Sequence, residues 1–219
     1  MKTKFLEFVE AILLEALGQT LYMTVIATLL ATIIGFIIAV ILIVTDEKGL
    51  RPNKKINVVL GTIINTVRSF PFIILIVAII PFTRMIVGTS IGVDAALVPL
   101  TIGASPFIAR VIESALKEVD KGLIEAAKSF GASGFQIIFK VMIKEALPSI
   151  VSGITLSTIS ILGYTAMAGS VGAGGLGAVA LTYGHQRFDT QAMIYTVVTL
   201  IIIVQVIQYL GNLAYKKLS

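Results

Sequence analysis

The sequence predicts an all-α membrane protein of five transmembrane helices, with a cytoplasmic helix–turn–helix hairpin between the third and the fourth. Three observations lead there. The chain is 57% hydrophobic and only 13% charged, with a mean hydropathy of +0.99, well outside the range of ordinary soluble domains. Apolar runs able to cross a hydrocarbon core of ~30 Å recur along it and alternate with polar segments. One polar segment, Asp120 to Pro148, reads as two capped helices separated by a glycine rather than as a simple loop.

Composition also excludes several classes of function. A net charge of +5 and a pI near 9.5 would suggest nucleic acid in a soluble chain, but here the basic residues fall in loops between apolar runs, where positive-inside topology accounts for them. The absence of cysteine removes disulfides, thiolate metal sites and a Cys nucleophile. The single histidine, His185, lies in a polar loop, so no multi-His metal site exists within one chain. We expect no metal, no cofactor and no catalytic residues in this chain.

Residues 1–19 read as an amphipathic segment at the membrane surface, with Lys2, Lys4, Glu7, Glu10 and Glu15 set among Phe5, Leu6, Phe8, Val9, Ile12 and Leu13. It makes a poor signal peptide, because the following run is long enough to span and no small-residue cleavage site follows. The first span is 20–44, where Ala27, Ala31, Gly35 and Ala39 form a small-residue stripe that lets another helix approach closely. Asp46 to Lys55 is a basic loop broken by Gly49 and Pro52. The second span, 56–82, contains Arg68. An arginine deep in a bilayer is expensive and usually functional, whereas one near a helix end snorkels to the headgroups; with Pro71 kinking the helix just after it, a snorkelling or structural role is the favoured reading.

The third span, 91–111, is expected to be broken by Pro99, Gly103 and Pro106, bends of the kind that line a pathway. In the fourth, 146–168, Ser149, Ser152, Thr155, Ser157, Thr158 and Ser160 either line a wet cavity or bond back to their own helix, and the pattern does not choose. The stretch Gly163 to Gly177 matches a dinucleotide fingerprint at Gly172, Gly174 and Gly177, but the strand and βαβ unit that the fingerprint needs are missing; a glycine-rich turn at the outer mouth is expected instead. The fifth span is 190–214 and residues 215–219 form a cytoplasmic tail, so that 20–214 is one membrane domain. Lys48, Arg51, Lys54, Lys55, Arg110, Lys117, Lys121, Lys128, Lys140, Lys144, Lys216 and Lys217 fall on one side, against Lys2, Lys4 and Arg187 on the other. The first set faces the cytoplasm, which puts the amino terminus outside and the carboxy terminus inside.

Within the hairpin, 120–145, Asp120 caps a helix with its body at Gly122 to Phe130, Gly131 stands just past its end, and Ser133 with Gln136 forms a capping box for the next helix. Local pattern leaves open a simple connector and a docking element. Glu125, Ala126, Ala127 and Gly131 resemble the EAA loop of ABC importer permeases, the hairpin that docks into a groove on a cytoplasmic ATPase subunit. Val141 fits the apolar position farther along that pattern, while Ile143 and Lys144 stand where Leu-Pro is usual.

Three classes of function follow: an ATP-driven transport subunit, a channel or ion-coupled carrier, and a scaffold. No Asp or Glu falls in the middle of a predicted span, which weakens the carrier, and no GxxxxGK[ST] motif occurs, so any ATP is bound by another chain. The blocks Arg68 to Leu75, Pro81 to Arg84, Val87 to Gly92, Pro106 to Arg110 and Val171 to Gly177 closely resemble the methionine ABC importer permease family. The resemblance implies a non-enzymatic permease in the plasma membrane that pairs with a second copy, binds two ATPase subunits holding ATP and Mg, and accepts methionine from an extracellular binding lipoprotein, with no nucleic acid involved. It also implies ATPase coupling through Glu125, Ala126, Ala127 and Gly131. Met167, Ser170, Gly172, Gly174 and Gly175 are candidates for the pathway or outer gate. A permease for another small amino acid, or a carrier without an ATPase, is the alternative.

Overall fold

The small residues of the first long helix fix the architecture. A computed structural model describes residues 9–218, which are mostly helical with no strand among them; the expectation for residues 1–8 of the surface segment lies outside the described residues. A π-helical turn, Val9–Leu13, runs without a break into α1, Leu14–Thr45. On α1 the stripe Ala27, Ala31, Gly35 and Ala39 is buried, and its main partner is α5, Val93–Lys117. A Cβ on Gly35 would stand 3.0 Å from Ala109 N, Ser105 O and Ile108 Cγ2, so glycine sets how closely the two backbones approach.

Between them lie α2, Lys54–Ser69, α3, Phe72–Ala78, and α4, Ile80–Val87. The expected kink at Pro71 is a turn of 104° between α2 and α3. Proline has no amide to continue the helix and forces Phe70 into extended backbone, φ −77 and ψ 130. Helix α4 ends at Gly88, whose φ of 83 favours glycine.

The third span corrects the sequence reading. Helix α5 passes through Pro99, Gly103 and Pro106 unbroken and continues past Val111 to Lys117. It is enclosed by α1, α2 and α7, whose packing holds the helix straight across both prolines. After α6, Lys121–Ser129, comes α7, Gly134–Gly169, which makes the second arm of the hairpin and the fourth apolar run one helix with a π-helical stretch at Ile137–Met142. Its hydroxyls resolve the open alternative for four residues: Thr155, Ser157, Thr158 and Ser160 each donate to the carbonyl four residues back. A short α8, Gly175–Val179, a π-helical stretch, Ala180–Gln186, and α9, Thr190–Leu218, complete the chain.

Helices α1, α5, α7 and α9 are each long and apolar enough to cross a membrane, and the bent α2–α3 pair raises the count from 4 to 5 if taken as one span. The protein is therefore a multi-pass, all-helical membrane protein.

Replacing Gly35 by Ala should lower the melting temperature of the detergent-solubilised protein, by about 1–3 kcal/mol of stability, because the new methyl meets backbone. Gly163, with nothing within 4 Å of its Cβ position, is the control; Gly163→Ala should be neutral or stabilising by up to ~1 kcal/mol.

Candidate functional site

At one end of the molecule the polar stretch folds into a lever made of α6 and the foot of α7. The Asp120 side chain accepts from the Gly122 amide at 2.6 Å and opens α6. The helix stops at Phe130: Gly131 adopts φ 76, its amide donates to Lys128 O at 2.9 Å, and the Ala132 amide donates to Ala127 O at 3.0 Å, a paired closure of the last carbonyls. Ser133 and Gln136 then form the reciprocal cap, with Ser133 N donating to Gln136 Oε1 at 2.8 Å and Gln136 N to Ser133 Oγ at 3.3 Å. These four bonds fix the angle between the arms in sequence-local terms.

No residue of α6 is fully buried. Ile124 and Ala127 face the core, where they pack with Ala132 against buried residues that include Val119, Ile137, Ile138 and Met142. Leu123, Ala126 and Phe130, at helical spacing, face outward with Glu125 on the flank, and Phe130 is 92% exposed. Of the four residues singled out for coupling, Glu125, Ala126 and Gly131 are therefore exposed, while Ala127 is half-buried and helps seat the helix.

Behind the lever a chain of charges ties three helices, and the sequence reading missed it. Arg110 donates to Glu113 at 2.7 Å, to Asn65 Oδ1 at 3.2 Å and to Gly61 O at 3.4 Å. Glu113, its side chain 6% exposed, also pairs with Lys117 at 2.8 Å, and Lys117 reaches Asp46 at 3.0 Å. The i, i+3, i+7 spacing of Arg110, Glu113 and Lys117 was visible in the sequence; the partners on α2 and at the end of α1 are tertiary and had no signal. Asn57 adds a bond to Leu42 O at 2.9 Å, closing the end of α1. Hydrogen bonding from the Lys48 amide, and then from Lys117, holds the Asp46 carboxyl below its ordinary value.

At the opposite end, the glycine-rich turn is held by the start of α1. Gly172, Gly174 and Gly175 all have positive φ, at 94, 83 and 77. The Gly175 amide donates to Gln19 Oε1 at 2.7 Å and the Leu176 amide to Thr20 Oγ1 at 2.8 Å, so side chains of α1 satisfy the first amides of α8. Gly92 N donates to Gly172 O at 2.9 Å and joins the turn to the start of α5. Gly175 is buried, Gly174 half-buried and Gly172 exposed, while Met167 is 46% exposed and Ser170 exposed, its hydroxyl donating to Met167 O at 2.6 Å. The structure thus gathers these five residues at one end of α7, far along it from the hairpin. His185, expected in a loop, is exposed within the π-helical stretch after α8.

A family model described as the binding-protein-dependent transport system inner membrane component matches residues 31–219. A probable D-methionine transport system permease protein from Vibrio cholerae is 51% identical over 95% of this chain and 92% of its own length. The methionine import system permease protein of Bacillus subtilis is 52% identical over 89% of this chain and 88% of its own. A chain of the MetNI methionine ABC transporter, solved in an inward-facing conformation, superposes with a TM-score of 0.95 at 44% identity, covering 97% of this chain and 99% of that one.

Removal of the Glu113 carboxylate leaves two cations without their shared anion, so Glu113→Ala should cost about 2 kcal/mol of stability in a chemical or thermal melt. Asp46→Asn, nearer water, should cost under ~1 kcal/mol at neutral pH. Because the folded carboxyl of Asp46 is depressed, its contribution is present above the ordinary carboxylate range and lost as pH falls through the folded value. The gap between wild type and Asp46→Asn melting should close over that acidic window and stay open above it.

Proposed function

The chain belongs to the family of binding-protein-dependent transport system inner membrane components, and from that premise we propose that it is the permease subunit of an ATP-driven importer that moves methionine inward. Two copies of the chain form the pathway, two ATPase subunits that bind ATP and Mg drive it from the cytoplasm, and an extracellular binding protein delivers the amino acid. The α2–α3 pair counts as one bent span, which gives five. The α6–α7 hairpin faces the cytoplasm, since Lys48, Arg51, Lys54, Lys55, Lys121, Lys128, Lys216 and Lys217 all stand at that end.

The observation that carries this reading is α6 itself. It presents Leu123, Ala126 and Phe130 outward while Ile124 and Ala127 anchor its other face to the core. An amphipathic helix with an uncovered apolar face beside Glu125 fits a groove on a partner. Val119 and the foot of α7 join it at both ends to spanning helices, so displacement of α6 becomes tilting of α5 and α7. Gly131 sets the turn between the arms. At the far end, Met167, Ser170 and Gly172 stand on the exposed side of the turn, and Gly174 and Gly175 let it sit against α1; this is our candidate outer gate.

In vesicles holding the permease, its ATPase and its binding protein, labelled methionine should accumulate only with ATP inside the compartment facing the hairpin. Ala126→Trp, at an exposed position, should leave the permease in the membrane and lower uptake by at least about tenfold, through a lost apolar fit worth over ~1.4 kcal/mol. Uptake equal to wild type would count against the docking role.

A further inference from the structure

Beside the sharp break between α2 and α3 is a cavity lined by residues that include Arg68, Phe70, Phe72, Gly103, Phe107 and Tyr164. Arg68 lies 14 residues above the start of α2 at Lys54, which at 1.5 Å per residue is about 21 Å along a helix that starts at the hairpin end. That carries it well past the headgroup level at the hairpin end of a hydrocarbon core of ~30 Å. Among the described residues no carboxylate stands within ion-pair distance of its guanidinium; all three ion pairs belong to the Arg110 to Asp46 chain. Its contact is the face of Phe107, 5.9 Å from the ring centroid. An exposed, unpaired cation on a spanning helix is costly unless a water-filled path or a ligand meets it.

The rest of the cavity is built around that charge. Phe72 and Tyr164 stack at 4.5 Å between ring centroids and join α3 to α7. Gly103 is required there: a Cβ would come within 3.2 Å of Phe72 and Leu75. Phe70 N donates to Val67 O, but Pro71 supplies no amide and α3 begins afresh at Phe72, so the α2 carbonyls after Val67 lack helical donors. The chemistry on offer is thus one guanidinium fork, aromatic faces and carbonyl oxygens, with no anion.

We propose that this cavity is a binding site for an α-amino acid within the membrane, in which Arg68 takes the carboxylate in a forked pair while aromatic faces and free carbonyls receive the ammonium and an apolar side chain. The inference rests on the importer reading above and makes Arg68 a residue that touches the cargo in transit. A lipid phosphate is the other oxyanion that the guanidinium would attract.

The test uses the full importer in vesicles and reads methionine taken up per ATP hydrolysed. Arg68→Gln should lower that ratio by about tenfold or more, the size of a lost charged hydrogen bond. Arg68→Lys keeps the charge and its ability to snorkel but not the fork, and should also fall several-fold. Phe107→Leu, which removes a ring and no charge, should lower it less. A wild-type ratio in Arg68→Lys would overturn the forked contact in favour of a structural charge. Wild-type uptake with Arg68→Gln unaffected overturns this site alone, whereas a wild-type importer that moves no methionine overturns the functional reading as well. Phospholipid that copurifies with the wild-type complex and is lost from Arg68→Gln, with the ratio unchanged, assigns the site to lipid and overturns the proposal.

Discussion

The constraint that the rest of the fold depends on is the approach of α1 to α5, where Gly35 lies against the backbone between Ser105 and Ala109. In lipid no hydrophobic effect drives two apolar helices together, so contact depends on small residues that let dispersion act over short distances. That one pair fixes both ends of the molecule. The start of α1 supplies Gln19 and Thr20 to the glycine-rich turn, and its end supplies Asp46 to Lys117. Were the two helices to slide, the glycine-rich turn would lose its amide partners and the charge chain its last link.

The two ends differ in how they are held. At the glycine-rich end the bonds are between side chains and backbone amides, on residues whose positive φ leaves little alternative conformation. At the hairpin end ion pairs and apolar packing hold α5, α2 and α1 together while α6 keeps one face uncovered. On the proposed reading, a force applied to α6 would act on a packed cluster and pass along α5 and α7 as bodies rather than be absorbed in a loop.

Much of this was legible because it is local. Asp120, Gly131, Ser133 and Gln136 each act within a few residues, and their caps were read from spacing alone. The stripe on α1 named its burial, and Pro71 named a bend. What the sequence concealed was cooperative or tertiary. Pro99 and Pro106 break isolated helices, yet enclosure by α1, α2 and α7 carries α5 straight through them. The hairpin and the fourth span read as separate stretches meeting between residues 145 and 146, but α7 runs across that join and on through Pro148. The spacing of Arg110, Glu113 and Lys117 was open to view, but their links to Asn65 on α2 and to Asp46 after α1 were not. Ala127 and Ala126 were indistinguishable as letters, and only packing shows that one seats the helix while the other faces out.

The account turns on α6 being the surface that a cytoplasmic ATPase grips. The chain has no cysteine, so a single one introduced at Ala126 reports without background. In sealed vesicles carrying the intact assembly, that thiol should be reached by a membrane-impermeant reagent only from the hairpin side, and should cross-link to the ATPase subunit at short range. Labelling from the opposite side, or no cross-link in an assembly that still hydrolyses ATP and moves cargo, would contradict it.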